Sequence, residues 1–471
     1  MKRAVLREKI KGASFVLLLL FIVAACSNSN DSASPAPDRT PNPTSDPKEA
    51  SAPPANSQEQ NTVIDIGEAA LEPAELLIYS IVPSVTEEEF ERTMNKPILS
   101  KYPHYKVKYM LSGEESLDNL MIMGNAPDII MTSIGGLYAQ MVPRELEYDL
   151  SDLIDKYNYD LDRIEPALIE SVQNAAPNKE IYGLPKYTNG VVMFYNIDLF
   201  DHFGVDYPVN GMTWDEAYQL ATIMTRAEDG MQYRGMSFFY NNMFAENQLS
   251  QPYFSTSENK AAVNTPGFQK FVNEYLRFYQ IEGNMPEGNF SADTELNNFY
   301  REKNIAMNLA PLSGFGRFSN DLSFNWDIVA VPTFSDLPGI GYQPNPIYYF
   351  ISNVNGKAEQ AFQVAAEWLS DEVQLMSNKE GRATSLRDEA IRATLGQDHP
   401  DFYDKNFAAL FYNEFAPVPP TNPEAASLVN AQNIVLRWFK EAVTGNVDVN
   451  TMLRSAEEEI NQAIAEALAG K

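Results

Sequence analysis

The sequence predicts an α/β protein of more than one lobe, with a helical C-terminal region. Three observations carry this expectation. Short apolar runs alternate with helix-compatible stretches, the rhythm of parallel βαβ units. The chain has 471 residues, enough for two or three domains at roughly 100–200 residues each. Its hydrophobic content of 44%, with 11% aromatic residues, can fill large cores and is too apolar for a disordered chain.

The elements follow in order. Glu75–Ser80 is a short apolar run that suits a buried strand. Thr86 to Met94 is a helix with Thr86 as N-cap and Glu89 three residues on, a capping box. Lys106–Leu111 alternates as a second strand, a helical run with Leu117, Leu120 and Met121 follows, and Ile129–Met131 makes a third strand. Pro127 fixes φ just before it and leaves Asp128 to make a structural hydrogen bond. Val191–Tyr195, Ile305–Leu309, Trp326–Val331 and Ile347–Ile351 read as further buried strands. Helices span Thr213–Thr225, where Thr213 and Glu216 form a capping box and Trp214 packs in the core, and Thr265–Gln280. Ala358–Met376 reads as one amphipathic helix, with Ala361, Phe362, Ala365, Trp368, Leu369, Val373 and Met376 on one stripe. Glu424 to Leu468 is mostly helical.

Ahead of this body stands a different kind of sequence. Lys2, Arg3, Arg7, Lys9 and Lys11 against Glu8 give a start of net +4, and an apolar run, Ala13 to Val23, closes on Ala24-Ala25-Cys26. The run is too short to span a bilayer, which takes about 20 residues, and reads as an export signal. Cys26 is the only cysteine, so no disulfide forms within the chain. Its place after two small residues resembles the lipobox of bacterial lipoproteins, in which residues 1–25 are removed and Cys26 is acylated. Net charge is 35 − 64 = −29 for the chain and −29 − 4 = −33 once that signal is gone. Residues 26–72 hold the lipidated cysteine and a Ser/Pro-rich linker that cannot offset its own conformational entropy by burial.

Composition excludes several functions. An excess of 29 acidic side chains argues against nucleic acid, which needs a concentrated cationic surface. Three histidines leave little for a His-built metal centre, and His104, His202 and His399 sit in loop-like contexts with no nucleophile beside them. Asn158, Asp160 and Asp162 offer alternating oxygens but lack the spacing and mid-loop glycine of a calcium loop, so they read as a solvated helix start. The motifs of serine hydrolases, zincins, phosphate loops and dinucleotide folds are missing. No cofactor and no metal is expected. A hydrolase working through a carboxylate pair stays open, because spacing in sequence cannot find such a pair across a fold.

Several segments taken in order resemble the extracellular solute-binding proteins of ABC importers, the family-1 group that includes sugar receptors. They are Gly124–Ile130, Leu146–Leu153, Ile181–Pro185, the run from Met193 to Phe200 through Gly204 and Pro208 to Thr213–Glu216, Phe299–Leu309, Val329–Thr333 and Asn355–Gly381. The resemblance implies a type II periplasmic-binding-protein fold of two lobes, discontinuous in sequence, with a ligand cleft between them. Lobe 1 would be 73–186 plus 310–352, and lobe 2 would be 187–309 plus 353–471.

In open α/β sheets ligands sit at the carboxyl ends of strands. The expected contacts are therefore Ser80 and Ser84 after the first strand, and Thr132, Ser133 and Gly135 after the third. Tyr187 and Asn189 follow the Gly-Leu-Pro crossing, and Tyr240, Asn242 and Phe244 follow a strand of the second lobe. Ser313 and Phe315 follow the Ala-Met strand, and Tyr342, Asn345 and Tyr348 lie near the last crossing. Tyr and Phe faces would stack on a sugar and Asn, Ser and Thr would pair with its hydroxyls. The resemblance thus implies a lipid-anchored, monomeric receptor on the outer face of the cell membrane. It would capture a small solute, a carbohydrate, and pass it to the membrane subunits of an ABC permease. The alternatives are a surface glycoside hydrolase and a receptor that feeds a sensor kinase.

Overall fold

The computed structural model describes residues 72–470 apart from 83–84, 287, 289 and 314–322. The expected signal, Cys26, the linker as far as residue 71, and the expected contacts Ser84 and Phe315 lie outside the described residues.

Among the described residues ten strands form two sheets: β1 Glu75–Ser80, β2 Lys106–Leu111, β3 Ile129–Thr132, β4 Gly183–Tyr187, β5 Val191–Asn196, β6 Arg226–Glu228, β7 Met231–Phe238, β8 Ile305–Pro311, β9 Trp326–Val329 and β10 Ile347–Ile351. The first sheet runs β2-β1-β3-β10-β4 and the second β6-β7-β8-β5-β9. In the first, β1 lies parallel to β2 and β3, and β10 runs antiparallel between β3 and β4. Ile78 is opposite Ile129, and Tyr348 is opposite Thr132. The carboxyl ends of β1, β3 and β4 therefore share one edge, where β10 begins. Gly183 lets β4 approach β10 closely, since a Cβ there would stand 2.7 Å from the Tyr349 carbonyl.

Each sheet has its own core. Leu76, Ile78, Ile130, Tyr348 and Phe350 centre the first, with Phe362 and Trp368 packed on it. Met193, Trp214, Phe238, Phe271, Tyr275 and Phe439 centre the second. Trp214 is core as expected, and its indole N–H donates to Gln248 at 2.8 Å. Asp128 is structural too: its carboxylate accepts from the Leu77 N–H at 2.8 Å and from Asn355 at 2.9 Å.

Three expectations are corrected. The helix expected over 358–376 is two helices, Ala358–Trp368 and Asp371–Lys379, because the Ser370 hydroxyl caps the Val373 N–H and restarts the backbone. The capping box expected at Thr86 is half made: Thr86 accepts from the Glu89 N–H, while the Glu89 carboxylate pairs with Arg382. The expected lobe division departs from the sheets in two places. β9 pairs with β5 in the second sheet, and Ala358–Trp368 packs on the first core.

The ion pair between Arg234 and Glu295 is fully interior. Arg234 on β7 meets both oxygens of Glu295, at 3.1 and 2.9 Å, and also donates to the Asn284 carbonyl at 2.7 Å. Burial pushes the Glu295 carboxyl up and Arg234 pulls it back. Breaking such a pair leaves an uncompensated charge, so Arg234→Met is expected to cost about 3–5 kcal/mol of stability. Arg234→Met with Glu295→Leu should recover most of that loss. Urea unfolding of both variants checks this, and equal losses in the two would contradict it.

Candidate functional site

Among the described residues the chain passes between the lobes at three places, and the three segments are bonded to one another. Thr188 N–H donates to the Ala383 carbonyl at 2.8 Å, and Asn345 N–H donates to the Asn189 carbonyl at 2.9 Å. The Ser385 hydroxyl donates to the Pro185 carbonyl at 2.7 Å. Gln374 ties these segments from the helix Asp371–Lys379. Its amide donates to the carbonyls of Lys186 and Trp368 at 3.1 and 3.0 Å, and its oxygen accepts from the Thr384 hydroxyl and the Ser385 N–H at 2.7 and 3.1 Å. Gln374 is buried, and this arrangement satisfies both of its donors and its acceptor.

Beside the middle crossing lies a cleft of about 550 Å³ between the lobes. Ser133, Gly135 and Tyr138 line it from the first lobe, with Ser171 and Asn174 from the helix Pro166–Ala175. Glu246, Gln251, Tyr253 and Phe254 line it from the second lobe, Gln343 and Asn345 from the crossing, and Asn430 and Gln432 from the start of the helix Ala431–Val443. The size and the mix of rings with amides suit a small-molecule site. Asn345 donates its amide to Glu246 Oε1, and the Gln343 N–H donates to the Glu246 carbonyl at 2.9 Å, so the crossing holds the carboxylate in place. Burial, and next the Glu246 charge, push the Tyr253 hydroxyl well above the usual tyrosine range.

No protein-family model matches the chain. Solved structures do. An ABC substrate-binding protein from Listeria monocytogenes in complex with cycloalternan superposes with a TM-score of 0.65, at 18% identity over 84% of this chain and 100% of that one. A cyclo/maltodextrin-binding protein complexed with maltotetraose gives 0.64, at 15% identity over 84% and 98%. The sugar-binding protein MalE from Xanthomonas citri gives 0.63, at 14% identity over 83% and 98%. This chain has the type II periplasmic-binding-protein fold.

In that fold the expected contact residues divide. Ser133, Gly135 and Asn345 line the cleft. Asn189 is half-buried beside it, where its side-chain oxygen accepts from the N–H of the exposed Ser313 at 3.2 Å, so both residues brace the crossing. Asn242 lies in the helix Tyr240–Ala245. The others are corrected, because their side chains are packed elsewhere. Ser80 turns back on its own loop and donates to the Val82 carbonyl at 3.1 Å. Thr132 is covered by Gly136, where a Cβ would stand 1.8 Å from its hydroxyl. Tyr240 stacks on Phe290 with ring centres 5.0 Å apart, and Phe244 packs on Phe271 and Phe439. Tyr342 and Tyr275 share a hydroxyl hydrogen bond of 2.7 Å in the second core. Tyr348 donates to the Leu168 carbonyl at 2.7 Å in the first.

Tyr187 borders a separate small hollow with Lys186, Tyr349, Trp368 and Arg382. Lys186 is buried, and its ammonium approaches the Met94 sulfur at 3.6 Å. Burial, with Arg382 adding to it, pushes Lys186 down to about 7 from its ordinary 10.5. Between those values the unfolded chain binds a proton that the folded one does not, so stability rises with pH from about 7 to about 10.5 and this contribution is flat below 7. Lys186→Met should abolish that rise and be the more stable protein at pH 6, with the gap closing toward pH 10. Melting temperatures across this range test it, and parallel curves for the two proteins would contradict it.

Proposed function

We propose that this protein is a lipid-anchored extracellular receptor that captures a carbohydrate in the inter-lobe cleft and delivers it to an ABC permease. The observation that carries the reading is the cleft itself, a hollow at the crossings lined by Tyr138, Tyr253 and Phe254 beside amides and hydroxyls. Rings cover the C–H faces of a sugar while amides donate to and accept from its hydroxyls and one fixed carboxylate accepts from them. Structures of the same fold with cycloalternan and maltotetraose bound support the ligand class.

Capture proceeds by hinge closure without covalent chemistry. Residues 1–25 are removed and Cys26 carries the lipid. The linker to residue 72 is the leash, and the anchor holds a body of charge −33 at the outer face of the membrane. The receptor works as a monomer, with Ser133, Gly135, Asn345 and Glu246 among its ligand contacts.

A melting-temperature screen with neutral mono- and oligosaccharides tests the reading. A true ligand at about 100 times its Kd adds about 2.7 kcal/mol of stability. Glu246→Ala should weaken binding of that ligand by about 1–3 kcal/mol, read by calorimetry. Release of reducing ends from an oligosaccharide would overturn the receptor reading.

A further inference from the structure

A second hollow, of about 430 Å³, lies in the second lobe where β7 begins, apart from the cleft. β8 ends at Pro311 beside the first crossing, since the Leu312 N–H donates to the Gly190 carbonyl at 3.0 Å. β7 lies parallel to β8 and ends at Phe238, just before the helix Tyr240–Ala245 that leads to Glu246. The starts of both strands therefore form the end of this lobe away from the crossings, and Arg234 and Asn304 line the hollow there.

The hydrogen bonds of these two residues leave a matched remainder. Arg234 is 2% exposed; its Nε donates to the Asn284 carbonyl and its Nη2 to Glu295, while its Nη1 has no partner among the described residues. Asn304 uses its carbonyl on the Arg234 N–H at 2.8 Å, its N–H on the Asn298 carbonyl at 3.3 Å and its amide nitrogen on the Gln232 carbonyl at 3.4 Å. Its Oδ1 has no partner among the described residues. One donor and one acceptor are thus left over, and buried polar groups left unpaired cost free energy. Hydroxyl groups serve both, because they accept from a guanidinium and donate to an amide oxygen. An anion would gain little, since Glu295 already meets the charge of Arg234 and Asp229 lines the same hollow, and a cation would face Arg234. We propose that this hollow is a second binding site, independent of the hinge, for a neutral polyhydroxylated solute, a saccharide or a polyol, whose hydroxyls pair with Arg234 Nη1 and Asn304 Oδ1. Both atoms are closed to solvent, and the solute reaches them as the flexible thioether chains of Met231 and Met285 in the wall move aside. The site stands whether or not the cleft takes a carbohydrate.

Nuclear magnetic resonance of the protein with isotope-labelled methionine methyl groups tests this. Glucose and sorbitol are the neutral probes, and glucuronate and glucosamine are the charged ones. Met231→Leu and Met285→Leu assign the two reporter signals. Glucose or sorbitol should shift both signals saturably in the millimolar range, the strength of a few hydrogen bonds. The charged sugars should act about tenfold more weakly. Asn304→Ala should weaken the neutral response about tenfold, with the core methyls of Met193 and Met307 unmoved as the sign of an intact lobe. Met231→Trp, which fills the hollow from its exposed rim, should abolish the response at Met285. The absence of a saturable shift at both signals would overturn the proposal, as would a glucuronate response equal to that of glucose. A shift that survives Asn304→Ala unchanged would come from binding elsewhere, the cleft included, and would overturn it too.

Discussion

The constraint on which the rest depends is the bonding of three crossing segments to one another. A chain that passes between two lobes three times exposes backbone at each passage, and those groups need partners. Here Thr188, Asn345 and Ser385 bond crossing to crossing, and Gln374 fills the gaps with one fully used amide. The result is a bonded strip joining two cores, which Ala426 of the helix Pro423–Leu428 also touches on both sides. Each lobe can hold its own shape while the angle between them changes, the arrangement that hinge closure requires.

The same strip fixes the site. Because β1, β3 and β4 end at one edge, the turn after β3 that carries Ser133 and Gly135 opens beside the crossing that carries Gln343 and Asn345. Asn345 then reaches Glu246 from the crossing, so the carboxylate in the second lobe's wall is set by the hinge. Lys186 lies in the first crossing, and its lowered affinity for a proton comes from the low-dielectric packing that makes this strip tight.

Much of the fold was legible because its strands are short apolar runs with turn residues at each end, as at Glu75–Ser80 and Ile347–Ile351. Caps were legible for the same local reason, since Thr213 and Glu216 complete their box within one turn. The break at Ser370 was not, because a serine inside an amphipathic stripe signals a new cap only when the chain bends there. The site was less legible than the fold. Position after a strand pointed to Ser133 and Gly135, which line the cleft, and also to Tyr240, Phe244, Tyr342 and Tyr348, whose large rings the cores absorbed. Asn174, Glu246, Gln251, Tyr253, Asn430 and Gln432 carried no local signal. They meet only because distant segments fold together, and the cluster of prolines from Pro417 to Pro423 was the one hint that the chain there crosses open surface.

We propose that the two lobes move as rigid bodies about the bonded hinge and close on a neutral carbohydrate. Small-angle X-ray scattering of the receptor, with and without a saccharide that raises its melting temperature, tests it most directly. A smaller radius of gyration with the ligand is expected, with scattering from each state that fits two unchanged lobes at different angles. A bound saccharide that leaves the radius of gyration unchanged would contradict it.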